Sequence, residues 1–112
     1  MDEFSWFVGL YEGEGTFGHH TKPGRKPGDR YSFFTLAIKM TDLDTMERVS
    51  KFLGCKVQTI ERKQPHHKTI YRVRKQGGMK GGLMDLMMKM KPHLCKRRQE
   101  QIDTAITKYD AK

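Results

Sequence analysis

Two carboxylates and three glycines share nine residues near the N-terminus: Phe7-Val8-Gly9-Leu10-Tyr11-Glu12-Gly13-Glu14-Gly15. Phe4, Phe7, Val8, Leu10 and Tyr11 recur at helical spacing behind Asp2, a favourable N-cap. Glu14 then falls at the C-terminal end of the helix, where the backbone dipole disfavours an anion. A carboxylate held there calls for a compensating cation, and a bound divalent metal would serve. Glu12 is better placed to cap or pack. Gly9 and Gly13 lie four residues apart on the same helix. A mid-helix glycine costs about 1 kcal/mol against alanine. The pair therefore points to close approach of another helix backbone, within one subunit or between two.

A second group of residues is basic. The 112 residues carry a formal charge of +9, and most of the excess sits in two stretches. Residues 17–39 and 56–75 together hold twelve bases against two acids, whereas residues 1–15 hold four acids and no base. Such clustering suits neutralisation of phosphates, so the expected partner is nucleic acid rather than an anionic membrane surface. Other reactive types are placed less usefully. His19-His20 and His66-His67 are adjacent pairs, whose members point to opposite faces of a strand. Cys55 and Cys95 form neither a disulfide framework nor a zinc pair. The glycine-rich run 77–82 lacks the Gly-Lys-Ser/Thr ending of a phosphate loop. Methionines 84, 87, 88 and 90 read as core of a C-terminal helix.

These groups must be positioned by a chain short enough that one domain, residues 1–112, is the default. After the first helix come a short strand over 16–22 and a turn-rich stretch with two Pro-Gly pairs, at 23–24 and 27–28, which reads as a hairpin loop. Residues 31–40 form the clearest strand. Phe34, Leu36, Ile38 and Met40 occupy one face, and Tyr31, Phe33, Thr35, Ala37 and Lys39 the other. Thr41 or Asp42 opens a helix with Met46, Val49, Phe52 and Leu53 inward, ended by Gly54. Residues 56–63 and 68–75 read as a second hairpin around Gln64-Pro65-His66, with Tyr71 and Val73 inward and Lys68, Arg72 and Arg74 outward. Helices follow, broken at Pro92. The expected fold is α+β: a four-stranded antiparallel sheet with helices on one face and its basic face open for a ligand. No stretch approaches the roughly 18 apolar residues of a membrane span. Asp2 and Glu3 leave no basic start for a secretory leader, so a reduced cytoplasmic setting is expected.

The nonapeptide 7–15 resembles the LAGLIDADG motif of homing endonucleases, with Trp6 before it and Thr16-Phe17 after it as in that family's usual surroundings. The resemblance extends to Ile38-Lys39-Met40-Thr41-Asp42-Leu43-Asp44, running on to Val49 and Leu53-Gly54, which is similar to the strand-to-helix junction of small phage-borne members. Pro92-His93-Leu94, Lys96-Arg97-Arg98 and Gln101-Ile102 resemble their C-terminal helix. The αββαββα order, with a saddle-shaped sheet and a C-terminal helical extension, matches one copy of the family's fold.

The resemblance implies a homodimeric, site-specific double-strand DNA endonuclease, free-standing in a phage or an intron and working in the host cytoplasm. Gly9 and Gly13, with Trp6 and Leu10, would form the dimer contact. Glu14 would bind Mg²⁺, roughly two or three ions per dimer shared with the DNA phosphates. Lys96 or Arg97 would be the second catalytic group, spacing from Leu94 favouring Arg97, with Arg98 a further candidate. His20, Lys22, Arg25, Lys39, Arg62, Lys68, Arg72 and Arg74 would contact duplex DNA, at a pseudo-palindromic site of roughly two helical turns. One departure stands out: Met40 occupies the position where the family often has a polar residue that helps place a water. That motivates an alternative, a catalytically weak or inactive DNA-binding regulator or splicing cofactor. A third reading is a single-strand binder that stacks bases on Tyr31, Phe33 and Tyr71.

Overall fold

The computed structural model describes residues 2–60 and 69–110. Helix α1, Glu3–Glu14, begins where the Ser5 amide donates to the Asp2 carboxylate at 2.6 Å. Only Phe7 and Tyr11 are buried along it. It runs one residue past Gly13 and ends at Gly15, whose amide still donates to the Tyr11 carbonyl. A Cβ at Gly15 would meet the Tyr11 ring at 2.1 Å, so the ring's packing admits only glycine there.

Strand β1, Gly15–Pro23, follows without a linker, and β2 is Arg30–Met40. The loop between them closes on itself: the Gly24 amide donates to the Asp29 carbonyl at 2.7 Å, and the Asp29 amide to the Lys26 carbonyl at 3.1 Å. Along β2, Phe34, Leu36 and Ile38 are buried while Tyr31 and Lys39 are exposed, the alternation expected of a strand with one covered face. Helix α2, Leu43–Leu53, starts on Asp42, which accepts from the Asp44 amide at 3.2 Å and the Thr45 hydroxyl at 2.7 Å. It ends at Gly54, whose φ of 71° is the left-handed conformation that glycine adopts without strain.

Strand β3, Gln58–Ile60, starts two residues later than expected, because Cys55 still belongs to the helix end. Its amide donates to the Ser50 carbonyl at 3.2 Å, and its carbonyl accepts from the Ser50 hydroxyl at 2.5 Å. Strand β4, Ile70–Gly77, pairs antiparallel with β3, placing Gln58 opposite Arg72 and Thr59 opposite Tyr71. The four strands form one antiparallel sheet in the order β1-β2-β4-β3. Helix α3, Gly82–Met90, leads through a 3₁₀ turn, Lys91–His93, into α4, Lys96–Asp110.

The packing falls into two compact units, Met1–Thr16 with Ala37–Lys75, and Phe17–Leu36 with Gln76–Lys112. In the first, α1 lies against α2, and the rings of Phe7 and Phe52 stack at 4.6 Å. Met46, Val49, Leu53 and Val73 are also buried there. In the second, Phe17, Phe34 and Tyr109 form a stacked series with centroids 5.3 and 5.1 Å apart. Leu36, Leu83, Met84, Met87, Met90, Leu94, Ile102 and Ala105 are also buried there. Met88 departs from the expected methionine core and is 41% exposed. Four methionines within seven residues span more of a helix than one buried stripe, and Met88 falls off the stripe that carries 84, 87 and 90.

Candidate nucleic-acid interface and catalytic acid

Glu14 is the last residue of α1 and is exposed. Among the described residues no side chain pairs with its carboxylate, and the last turn of α1 holds no base. The negative end of the helix therefore carries an uncompensated acid. Among the described residues there is no group of three histidines, cysteines or acids that could hold a metal ion. A metal held by Glu14 would suit an oxygen-rich shell completed by phosphates and water. Glu12 is half-buried.

Gly9 and Gly13 are both exposed, and a Cβ at either would meet nothing within 4 Å. Among the described residues the glycines therefore serve no close crossing. Leu10 and Trp6 are half-buried beside them. Trp6 carries the Arg48 guanidinium 4.0 Å above its ring, a cation–π contact. Arg48 in turn grips both carboxylate oxygens of Glu3, with Nε 3.1 Å from each. Its hydrogen bond holds the Glu3 carboxyl below the usual glutamate range, and Glu3 raises the Arg48 guanidinium reciprocally.

The predicted DNA contacts divide by unit. On the β1–β2 hairpin His20, Lys22 and Arg25 are exposed. The His20 ring stacks on Phe33 at 5.5 Å, and the Lys22 ammonium lies 5.9 Å from the Tyr31 ring and 5.8 Å from that of Phe33. His19 points to the opposite side, edge-on to Phe34 and Tyr109, as expected for neighbours in a strand. In the other unit Lys39 and Arg74 are exposed, while Arg72 is half-buried and its Nε donates to Gln58 Oε1 at 2.9 Å. Gln58 escaped the sequence reading, because only the strand register brings it opposite Arg72. Lys75 differs from its neighbours, donating from Nζ to the Leu53 carbonyl at the end of α2, 3.0 Å away. Arg62 and Lys68 lie outside the described residues.

Lys96 and Arg97 are exposed in the first turn of α4. Arg98 is 7% exposed, and its Nη1 donates to Gln101 at 3.1 Å. Of the three basic candidates, Arg98 is the one withdrawn from solvent. Met40 ends β2, half-buried.

No family sequence model matches the chain, and no curated protein matches it in sequence. Solved structures do match. The homing endonuclease I-CvuI, solved with the I-CreI target in the presence of Mg, superposes at a TM-score of 0.63 with 18% identity, over 88% of this chain. The archaeal intron-encoded homing endonuclease I-Vdi141I, complexed with DNA, matches at 0.59 with 17% identity over 89%. The LAGLIDADG meganuclease I-AabMI, bound to uncleaved DNA, matches at 0.62 with 14% identity over 98%. This chain has the LAGLIDADG homing-endonuclease fold. It spans 60% of I-CvuI, 62% of I-Vdi141I and 36% of I-AabMI. Within this fold residues 7–14 of the nonapeptide are the C-terminal part of α1 and Gly15 opens β1, while the described bases of the two basic stretches lie on or beside β1, β2, β3 and β4. Among the described residues no helix is long and apolar enough to cross a membrane.

Proposed function

We propose that the chain is a homodimeric, site-specific endonuclease of double-stranded DNA. The observation that carries this reading is α1 itself: among the described residues, an acid at its end with no paired side chain and an open glycine ridge along it, in a LAGLIDADG fold. Two copies related by a twofold axis would bring Gly9 and Gly13 of each into contact, with Leu10 and Trp6 at the rim. That would set one Glu14 from each chain beside the other, one acid for each DNA strand. Glu14 would hold a divalent metal, Mg²⁺ by preference, which when bound would neutralise phosphate charge and make a bound water more acidic. Lys96 or Arg97 would set positive charge against the charge that develops on the phosphate and the leaving oxygen. Lys22, Arg25, Lys39, Arg72 and Arg74 would hold the duplex, and twofold symmetry would make the target pseudo-palindromic.

Plasmid linearisation in Mg²⁺ tests the assignment of Glu14. Glu14→Gln should lower cleavage by at least about a hundredfold, the scale of losing one electrostatic contribution at a reacting centre. Equal cleavage by both proteins would remove Glu14 from the mechanism. Met40 favours a second reading, a DNA-binding regulator with little or no cleavage, because a thioether is a weak acceptor for a water at the end of β2. That reading predicts tight, salt-sensitive duplex binding with no scission in either Mg²⁺ or Mn²⁺.

A further inference from the structure

On the outer face of the β1–β2 hairpin, four side chains form one strip: His20 and Lys22 from β1, Tyr31 and Phe33 from β2. Tyr31 is 49% exposed and Phe33 half-exposed. One face of the Phe33 ring is engaged within the chain. His20 stacks on Phe33 with an interplanar angle of 30°, and the Lys22 ammonium lies near both rings. With His20 on one face, Phe33 also offers its edge. The strip therefore presents apolar ring carbons flanked by cations. Its surroundings are basic: Lys22, Arg25, Lys26 and Arg30 against the single acid Asp29 between residues 20 and 33.

In the major groove, four functional patterns distinguish the base pairs, and only the C5-methyl of thymine is apolar. We infer that Tyr31 and Phe33 read thymine methyl groups, with Lys22 and Arg25 holding the adjacent phosphates. The inference rests on the proposal that this face grips duplex DNA, and it names what the strip would select there. His20, packed against Phe33, acts as a positioning residue that fixes the ring edge. The half-site should then carry one or two thymines whose methyls matter, at positions where guanine-reading arginines are absent.

The test needs no protein variant at its first step. Duplexes selected from a random library are bound without divalent metal, so that the DNA stays whole. Each thymine of the selected half-site is then replaced singly by uracil, which differs only by the methyl. Burial of one methyl predicts about a fourfold loss of affinity at one or two positions. In Phe33→Ala or Tyr31→Ser, thymine and uracil should bind equally at the corresponding position. Tight duplex binding with no position sensitive to uracil would overturn the inference and leave the proposed function standing. Uracil sensitivity that is unchanged in both variants would also overturn it. Binding of single strands in preference to any duplex would overturn both.

Discussion

A methyl group at Gly15 would collide with Tyr11, a ring with no exposed surface, at 2.1, 2.7 and 2.8 Å from three of its carbons. Neither partner can give way, since Gly15 opens β1 at the same point. Gly15→Ala should therefore destabilise the protein by about 1–3 kcal/mol, as overpacked cores do. Urea unfolding would read this as a lower midpoint at constant slope. Tyr11→Leu should recover part of the loss in the double variant, because the two sites couple through one contact. At the other end of α1 the Glu3–Arg48 pair makes a weaker prediction. Arg48 holds the Glu3 carboxyl down. The pair's contribution is present above the ordinary glutamate range and is lost as pH falls through the lowered folded value. Glu3→Gln should flatten the acid limb of the stability profile slightly in thermal melts from neutral pH to pH 3. The effect should be small, since both side chains are about half exposed. Arg48→Met should remove the same pH dependence.

Helix α1 has two sides that make opposite demands. Phe7 and Tyr11 bury one side within the chain, while Gly9 and Gly13 leave the other bare. Each glycine weakens an isolated helix by about 0.5–1 kcal/mol relative to alanine. Because a Cβ at either position meets nothing, Gly9→Ala and Gly13→Ala should each raise the stability of the monomer by that amount. If the ridge is a dimer contact, the same changes should shift sedimentation from dimer to monomer. A stabilised monomer with unchanged self-association would place the contact elsewhere. The capped ends of such elements were open to reading because they are local. Asp2, Asp42 and Gly54 announce helix boundaries by chemistry that needs no tertiary context, and the alternation along β2 needs only a covered face. What escaped depends on how side chains pack and pair, which residue type alone does not fix. Arg97 and Arg98 look alike in sequence, yet one is exposed and the other buried against Gln101 by the turn of α4. Gln58 becomes a partner of Arg72 only through the strand register. Gly15 closes α1, and its second role comes from where the Tyr11 ring lies.

At the scale of the whole chain, the proposed function would divide position and specificity between different bases of the +9. Lys22, Arg25 and Arg74 are exposed and suit phosphates, whereas the Arg72 guanidinium is oriented by Gln58 and suits a base edge. Affinity for duplex DNA measured between 50 and 200 mM salt should give a log–log slope of about −0.9 per phosphate neutralised. Removing one phosphate contact should reduce the magnitude of that slope by about one and weaken binding alike on all sequences. In a homodimer every substitution enters twice, so Arg25→Ala or Arg74→Ala should reduce it by about two. Arg72→Ala should instead cost about 1–3 kcal/mol on the selected site alone and relax preference at one position in each half-site. Gln58→Ala should act in the same direction more weakly, because it frees the guanidinium without deleting it. A slope change of about one for Arg25→Ala would mean that a single chain meets the DNA. Equal losses for Arg72→Ala on all sequences would make that arginine one more phosphate contact.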